Sequence, residues 1–157
     1  MLVQWASISK LSKLKALNLS GNTEIRNITP LKELKSLQVL NLSFTYIDSH
    51  DFKTFEMLPN LKVLILSDLY MITDISPLSN ITNLKILNLS YNTISDITPL
   101  EKLTDLIAIN LSNNEISDIS VLKKLTNLRL INLKCNPIND AEITELKNAL
   151  PKAIILY

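Results

Sequence analysis

An apolar beat runs along the chain and changes period twice in every 22 residues. In LKILNLSYNTISDITPLEKLTD and LIAINLSNNEISDISVLKKLTN, consecutive from Leu84 to Asn127, apolar residues stand at offsets 1, 4 and 6: Leu84, Leu87, Leu89, then Leu106, Ile109, Leu111. An asparagine follows at offset 9 (Asn92, Asn114) and an isoleucine at offset 11 (Ile94, Ile116). Apolar residues then recur every third position, at Ile97, Leu100, Leu103 and at Ile119, Leu122, Leu125. Offsets 4 and 6 lie on one face of a short strand, because strand side chains alternate. The three-residue spacing that follows predicts a tight helical turn on the opposite side of the same coil.

Projected outward, the pattern gives repeat starts at Leu14, Leu37, Leu61, Leu84, Leu106 and Leu128, spaced 23, 24, 23, 22 and 22 residues apart. Self-similarity at this period, with an L-x-x-L-x-L-x-x-N core, is the sign of a leucine-rich repeat. The expected fold is an α/β solenoid, curved and right-handed. A parallel β-sheet lines its concave face, and short 3-10 or helical segments line its convex face. One domain covers residues 1–157. Residues 1–13 form a partial first repeat, because Leu2, Trp5, Ile8 and Leu11 match the convex half of the clean repeat. No polar cap precedes them, and terminal coils need one. Either Leu2 and Trp5 improvise a lid, or the chain is a piece of a longer protein; the missing cap favours the second. At the other end, residues 139–157 replace the repeat with a helix, capped by Asn139 or Asp140 and turning Ile143, Leu146 and Leu150 inward. Pro151 stops it, and KAIILY forms a covering strand.

The repeats are not uniform. The asparagine at offset 9 has donors and an acceptor to satisfy turn backbone in neighbouring coils, so Asn22, Asn92, Asn114 and Asn136 form a structural ladder. Thr45 and Leu69 hold that position in repeats two and three and should interrupt it. Repeat two also substitutes Phe52 and Phe55 on its convex side, with Asp48 or Ser49 placed to cap.

Composition narrows the chemistry. A net charge of +1 gives no electrostatic case for nucleic acid. One glycine, Gly21, is too few for a phosphate loop, and no apolar run of membrane-spanning length occurs. A single cysteine, Cys135, excludes an internal disulfide framework. His50 is the sole histidine and lies on the convex side, far from Cys135, so no nucleophile–histidine site is expected. With Asp48 and Asp51 it reads as a solvated capping cluster, since three neighbours do not close a metal site. Asp74, Asp96 and Asp118 recur at one repeat position, which marks turn capping. The chain is therefore expected to be non-catalytic, with no cofactor, metal or small-molecule substrate.

The N-x-I-S-D-I-x-P-L-x-x-L-T-N-L grammar resembles the internalin family of bacterial leucine-rich repeat proteins. Asn92 to Leu100 and Asn114 to Ile119 carry the match; Asp74 to Leu78, Ile28 to Leu31, Thr82-Asn83-Leu84 and Thr126-Asn127-Leu128 support it. The likeness covers roughly residues 14 to 138 and implies a protein-binding solenoid, often secreted or displayed on a cell surface. The opening MLVQWASISKLSK carries no signal-peptide pattern, so the chain as written reads as cytoplasmic. Within a longer internalin-like protein it would be secreted or surface-bound. Sequons recur at Asn18, Asn27, Asn41, Asn80, Asn88 and Asn110, and sugars there would crowd the concave face, which favours a bacterial or cytosolic protein.

Offsets 2, 3, 5, 7 and 8 are expected to face the concave side. There Val39, Phe44, Val63, Ile65, Ile86 and Tyr91 form an apolar and aromatic patch, with Leu130 further along the same row. Lys62, Lys85 and Arg129 lie on one margin and Asp68 stands beside the aromatics. Such a patch marks a site for another protein. Strand propensity alone also writes β-branched residues in these rows. An intracellular scaffold or regulatory subunit docking an enzyme, or spacer repeats of a larger surface protein, are the alternatives.

Overall fold

A computed structural model describes residues 5–69 and 72–157, with side chains from Ser7 onward. Leu2, of the lid expected from Leu2 and Trp5, lies outside the described residues, as does the side chain of Trp5. Seven three-residue strands form one parallel sheet in sequential order: β1 Ala16–Asn18, β2 Val39–Asn41, β3 Val63–Ile65, β4 Ile86–Asn88, β5 Ala108–Asn110, β6 Leu130–Asn132 and β7 Ile154–Leu156. The chain is thus a leucine-rich repeat solenoid. Each coil rises by one strand and returns through the convex side.

The register is uniform. Ala16, Val39, Val63, Ile86, Ala108, Leu130 and Ile154 stand abreast, and Leu17, Leu40, Leu64, Leu87, Ile109, Ile131 and Ile155 form the next row. From Leu40 to Ile131 that second row is buried, with Leu87 fully so and Ile109 only 2% exposed. It meets the convex triads, such as Ile97, Leu100 and Leu103, in one continuous core. Each fully buried leucine contributes about 1.5–3 kcal/mol relative to exposure.

The convex turns are 3-10 helices at Trp5–Lys10, Thr29–Glu33, Ser49–Met57, Ser76–Asn80, Thr98–Lys102 and Ser120–Lys124. Proline pre-sets the first turn in three of them, at Pro30, Pro77 and Pro99. Two residues before each of four starts, a side-chain oxygen accepts a backbone N–H: Asn27 from Thr29, Asp74 from Ser76, Asp96 from Thr98, Asp118 from Ser120, all at 2.8 Å. The Ser49–Met57 helix has a capping box between Asp48 and Asp51. Its buried Phe52 and Phe55 rings pack 5.4 Å apart. After β6 comes α1, Asp140–Ala149, with the Asn139 side chain accepting the Glu142 N–H. Helix α1 buries Ile143 and Leu146, Leu150 is buried just beyond it, and the chain returns to place β7 against β6.

At offset 9, the Asn114 amide nitrogen donates to the carbonyls of Leu89 in the preceding coil (2.9 Å) and Leu111 in its own (3.0 Å), while its oxygen accepts the Ile94 N–H (3.0 Å). Asn92 does the same with Leu66, Leu89 and the Leu69 N–H, and Asn136 with Leu111, Leu133 and the Ile116 N–H. Thr45 reaches only its own coil, through Leu42 O at 2.7 Å. Asn22 also bonds within its own coil, to Leu19 O.

One expectation is overturned. In the four central repeats offset 7 does not face the concave side: Ser43, Ser67, Ser90 and Ser112 are buried, whereas Ser20 is half-buried and Lys134 exposed in the first and last repeats. The reason lies in the next residue. Gly21, Phe44, Asp68, Tyr91, Asn113 and Cys135, all at offset 8, adopt positive φ between 54° and 75°. That left-handed kink turns these serines inward; Ser67, which has Ile65 at offset 5, donates its hydroxyl to Ser43 at 2.9 Å, and the other three are capped by the offset-5 asparagine. Asn41, Asn88 and Asn110 each accept both the serine N–H and its hydroxyl.

Candidate partner-binding face

Two rows reach the concave surface from the strands themselves. The first is the Ala16-to-Ile154 row, in which Val39 and Val63 are half-buried while Ile86 and Leu130 are 42% and 43% exposed. In the second, Ile65 interrupts the asparagines and sits between Asn41 and Asn88. Beyond the strand ends comes the offset-8 column. Its N–H groups bond the next coil's offset-7 carbonyl (Phe44 to Ser67, Asp68 to Ser90, Tyr91 to Ser112), so Phe44, Asp68 and Tyr91 are neighbours in line. Phe44 and Tyr91 are exposed there, and Asp68 is half-buried. Val39, Val63, Ile65, Ile86, Phe44 and Tyr91 therefore occupy three adjoining coils, those around the interruption of the asparagine ladder.

The charged margin is less uniform than its sequence suggests. Lys62 is exposed without an ion-pair partner among the described residues. Lys85 is tied to Asp105 at 2.6 Å. Arg129 turns its guanidinium back onto the carbonyls of Thr126 and Leu128. Burial pushes the Asp68 carboxyl above its ordinary range, opposed by a hydrogen bond from Ser67.

The surface extends past the residues singled out from sequence. Ile107, next to Arg129 on the margin, is 45% exposed. Ile154 (63%) and Leu156 (38%) continue the two strand rows onto β7. The signal was present in KAIILY, since placing Ile154 at offset 3 aligns it with Leu130. Tyr46, two residues past Phe44, is half exposed, with the Arg26 guanidinium 4.6 Å from its ring centre.

Elsewhere the polar groups serve structure. His50 Nδ1 lies 3.2 Å from Asp48 on the solvated convex side, and Cys135 is exposed at the far end of the offset-8 column. Among the described residues no cluster of His, Cys, Asp and Glu is arranged to hold a metal ion. No helix of the described residues is long and apolar enough to cross a membrane.

A family model described as leucine-rich repeats (two copies) matches residues 59–102. No curated protein matches the chain. Among solved structures, an internalin of Listeria monocytogenes (inlF) superposes with a TM-score of 0.84 at 32% identity, over 96% of this chain and 43% of that one. Internalin C2 of the same species gives 0.83 at 37% identity, over 96% of this chain and 64% of that one. A leucine-rich repeat protein of Leptospira interrogans gives 0.84 at 29% identity, over 97% of this chain and 39% of that one. The chain thus spans between about two fifths and just under two thirds of the length of these proteins.

Proposed function

For a leucine-rich repeat protein with internalin-like repeats, which this chain is, we propose that the concave face holds another protein on the patch formed by Val39, Phe44, Val63, Ile65, Ile86 and Tyr91. The protein acts as a non-catalytic binding module. Leucine-rich repeat domains are in general protein-interaction modules, and nothing in the reading requires a cofactor or a small-molecule substrate. The observation that carries it is the accessible apolar surface on two coils either side of a third: Phe44 is 44% exposed on one, Ile86 42% and Tyr91 56% on the other, and Val63 and Ile65 stand half-buried on the strand between them. Aromatic side chains with a polar surround are the typical energetic centres of interfaces. Lys62, Lys85, Arg129 and Leu130 belong to the periphery of the same face, with Asp68 between the two aromatics at its other edge.

The test is affinity capture from the native host with the protein and its Phe44→Ala/Tyr91→Ala variant. Partner recovery should fall at least tenfold, the order expected for one or two interface centres, while the melting temperature barely moves. Undiminished recovery would instead assign these coils to spacing within a longer protein.

A further inference from the structure

Phe44, Asp68 and Tyr91 hold the same position in three consecutive coils, with φ of 55°, 54° and 57°. Neighbouring coils are about 4.8 Å apart, so the carboxylate has an aromatic residue one strand away on each side. Elsewhere the column carries Gly21, Asn113 and Cys135, all small. Glycine and asparagine enter left-handed backbone readily, whereas an aromatic does so at a cost. The column therefore carries bulk at the two places that bracket its one acid.

Among the described residues, no cation pairs with Asp68. The concave cations Lys62 and Lys85 lie at offset 2, before the strands, while Asp68 lies beyond them. A guanidinium suits such a place. Its plane stacks on aromatic rings, its forked N–H groups match a carboxylate, and it is weakly hydrated. The protein already makes one contact of this kind on the same flank, where Arg26 lies over Tyr46.

We propose that Phe44, Asp68 and Tyr91 form a subsite for an arginine side chain of the bound protein. This rests on the concave face being the docking surface. The carboxyl of Asp68, raised by burial and only partly compensated by Ser67, is a charge that an arriving cation would stabilise.

The experiment is a titration of the full chain, followed by amide NMR shifts, with N-acetyl-arginine methylamide as the probe. Its citrulline counterpart, isosteric but uncharged, is the control. The amides of Phe44, Asp68 and Tyr91 should shift progressively with the arginine probe and not with the citrulline one. Asp68→Asn, which keeps a residue suited to positive φ, should weaken the response about fivefold or more. No shift at these amides, equal shifts from citrulline, or an undiminished response in Asp68→Asn overturns the proposal. The two readings separate cleanly. If Phe44→Ala/Tyr91→Ala loses its partner while the arginine probe is ignored, only the arginine subsite falls. If the probe binds but partner capture is unaffected, the guanidinium site is real but the docking reading falls, and with it the assignment of that site to a bound protein's arginine.

Discussion

Asn92 and Asn114 make the same hydrogen bonds, yet removing them should not cost the same. In Asn114→Ala, the Leu89 carbonyl keeps the Asn92 amide and the Leu111 carbonyl keeps the Asn136 amide. Only the Ile94 N–H loses its acceptor. In Asn92→Ala, the preceding coil has Leu69 where another asparagine would stand. The Leu66 carbonyl then loses its donor and the Leu69 N–H its acceptor, while Leu89 O keeps Asn114. Both asparagines are under a tenth exposed, so water replaces neither set freely. At about 1–3 kcal/mol per buried group left unpaired, Asn114→Ala should cost about 1–3 kcal/mol and Asn92→Ala about 2–6, a gap of about 2 kcal/mol between the mid-values. For a chain of this size the gap is a difference in melting temperature of about 4–8 °C. Urea unfolding, followed by far-ultraviolet circular dichroism and tyrosine fluorescence together, gives both values. Equal losses, or a larger loss at Asn114, would refute the claim that the ladder shares its carbonyls between neighbouring rungs.

Two further outcomes follow from the turns. Tyr91→Asn places a residue suited to left-handed backbone where an exposed aromatic now sits, so stability should hold or rise by about 0.5–1 kcal/mol in urea unfolding, even as partner capture falls. Backbone and side-chain hydrogen bonds from Ser76 hold the Asp74 carboxyl below its ordinary range, and those from Ser120 do the same for Asp118. Their folded values lie below the unfolded ones, so the stability they add is present above the ordinary carboxylate range and is lost as pH falls through the lowered one. Burial raises Asp51, which works in the opposite sense over its own range. Asp118→Asn should keep the turn, as Asn27 already does, and should lose less melting temperature than the parent between pH 7 and about pH 3.

The inward rows were legible because burial imposes its period on the sequence: Leu87 and Ile109 could be placed from spacing alone. The kink at offset 8 was not. Gly21 and Asn113 are typical of left-handed backbone, but Phe44, Tyr91 and Cys135 in the same column hide the signal. The inward turn of Ser43, Ser67, Ser90 and Ser112 therefore went unread. Ile154 and Leu156 escaped because β7 follows a helix and Pro151, outside the repeat count that would have given their offsets. The pairing of Lys85 with Asp105 and the retreat of Arg129 depend on side-chain reach between coils, which spacing along one strand does not encode. What sequence supplied for the candidate face was the list of outward positions; what it lacked was which of their polar groups are already occupied.

The most direct test places a charge in the middle of the surface. Val63 lies half-buried between Val39 and Ile86, on the outward side of a strand whose Leu64 is fully buried. Val63→Arg should leave the circular dichroism spectrum and urea midpoint close to those of the parent while partner capture is lost. Full capture by the folded variant would contradict the account.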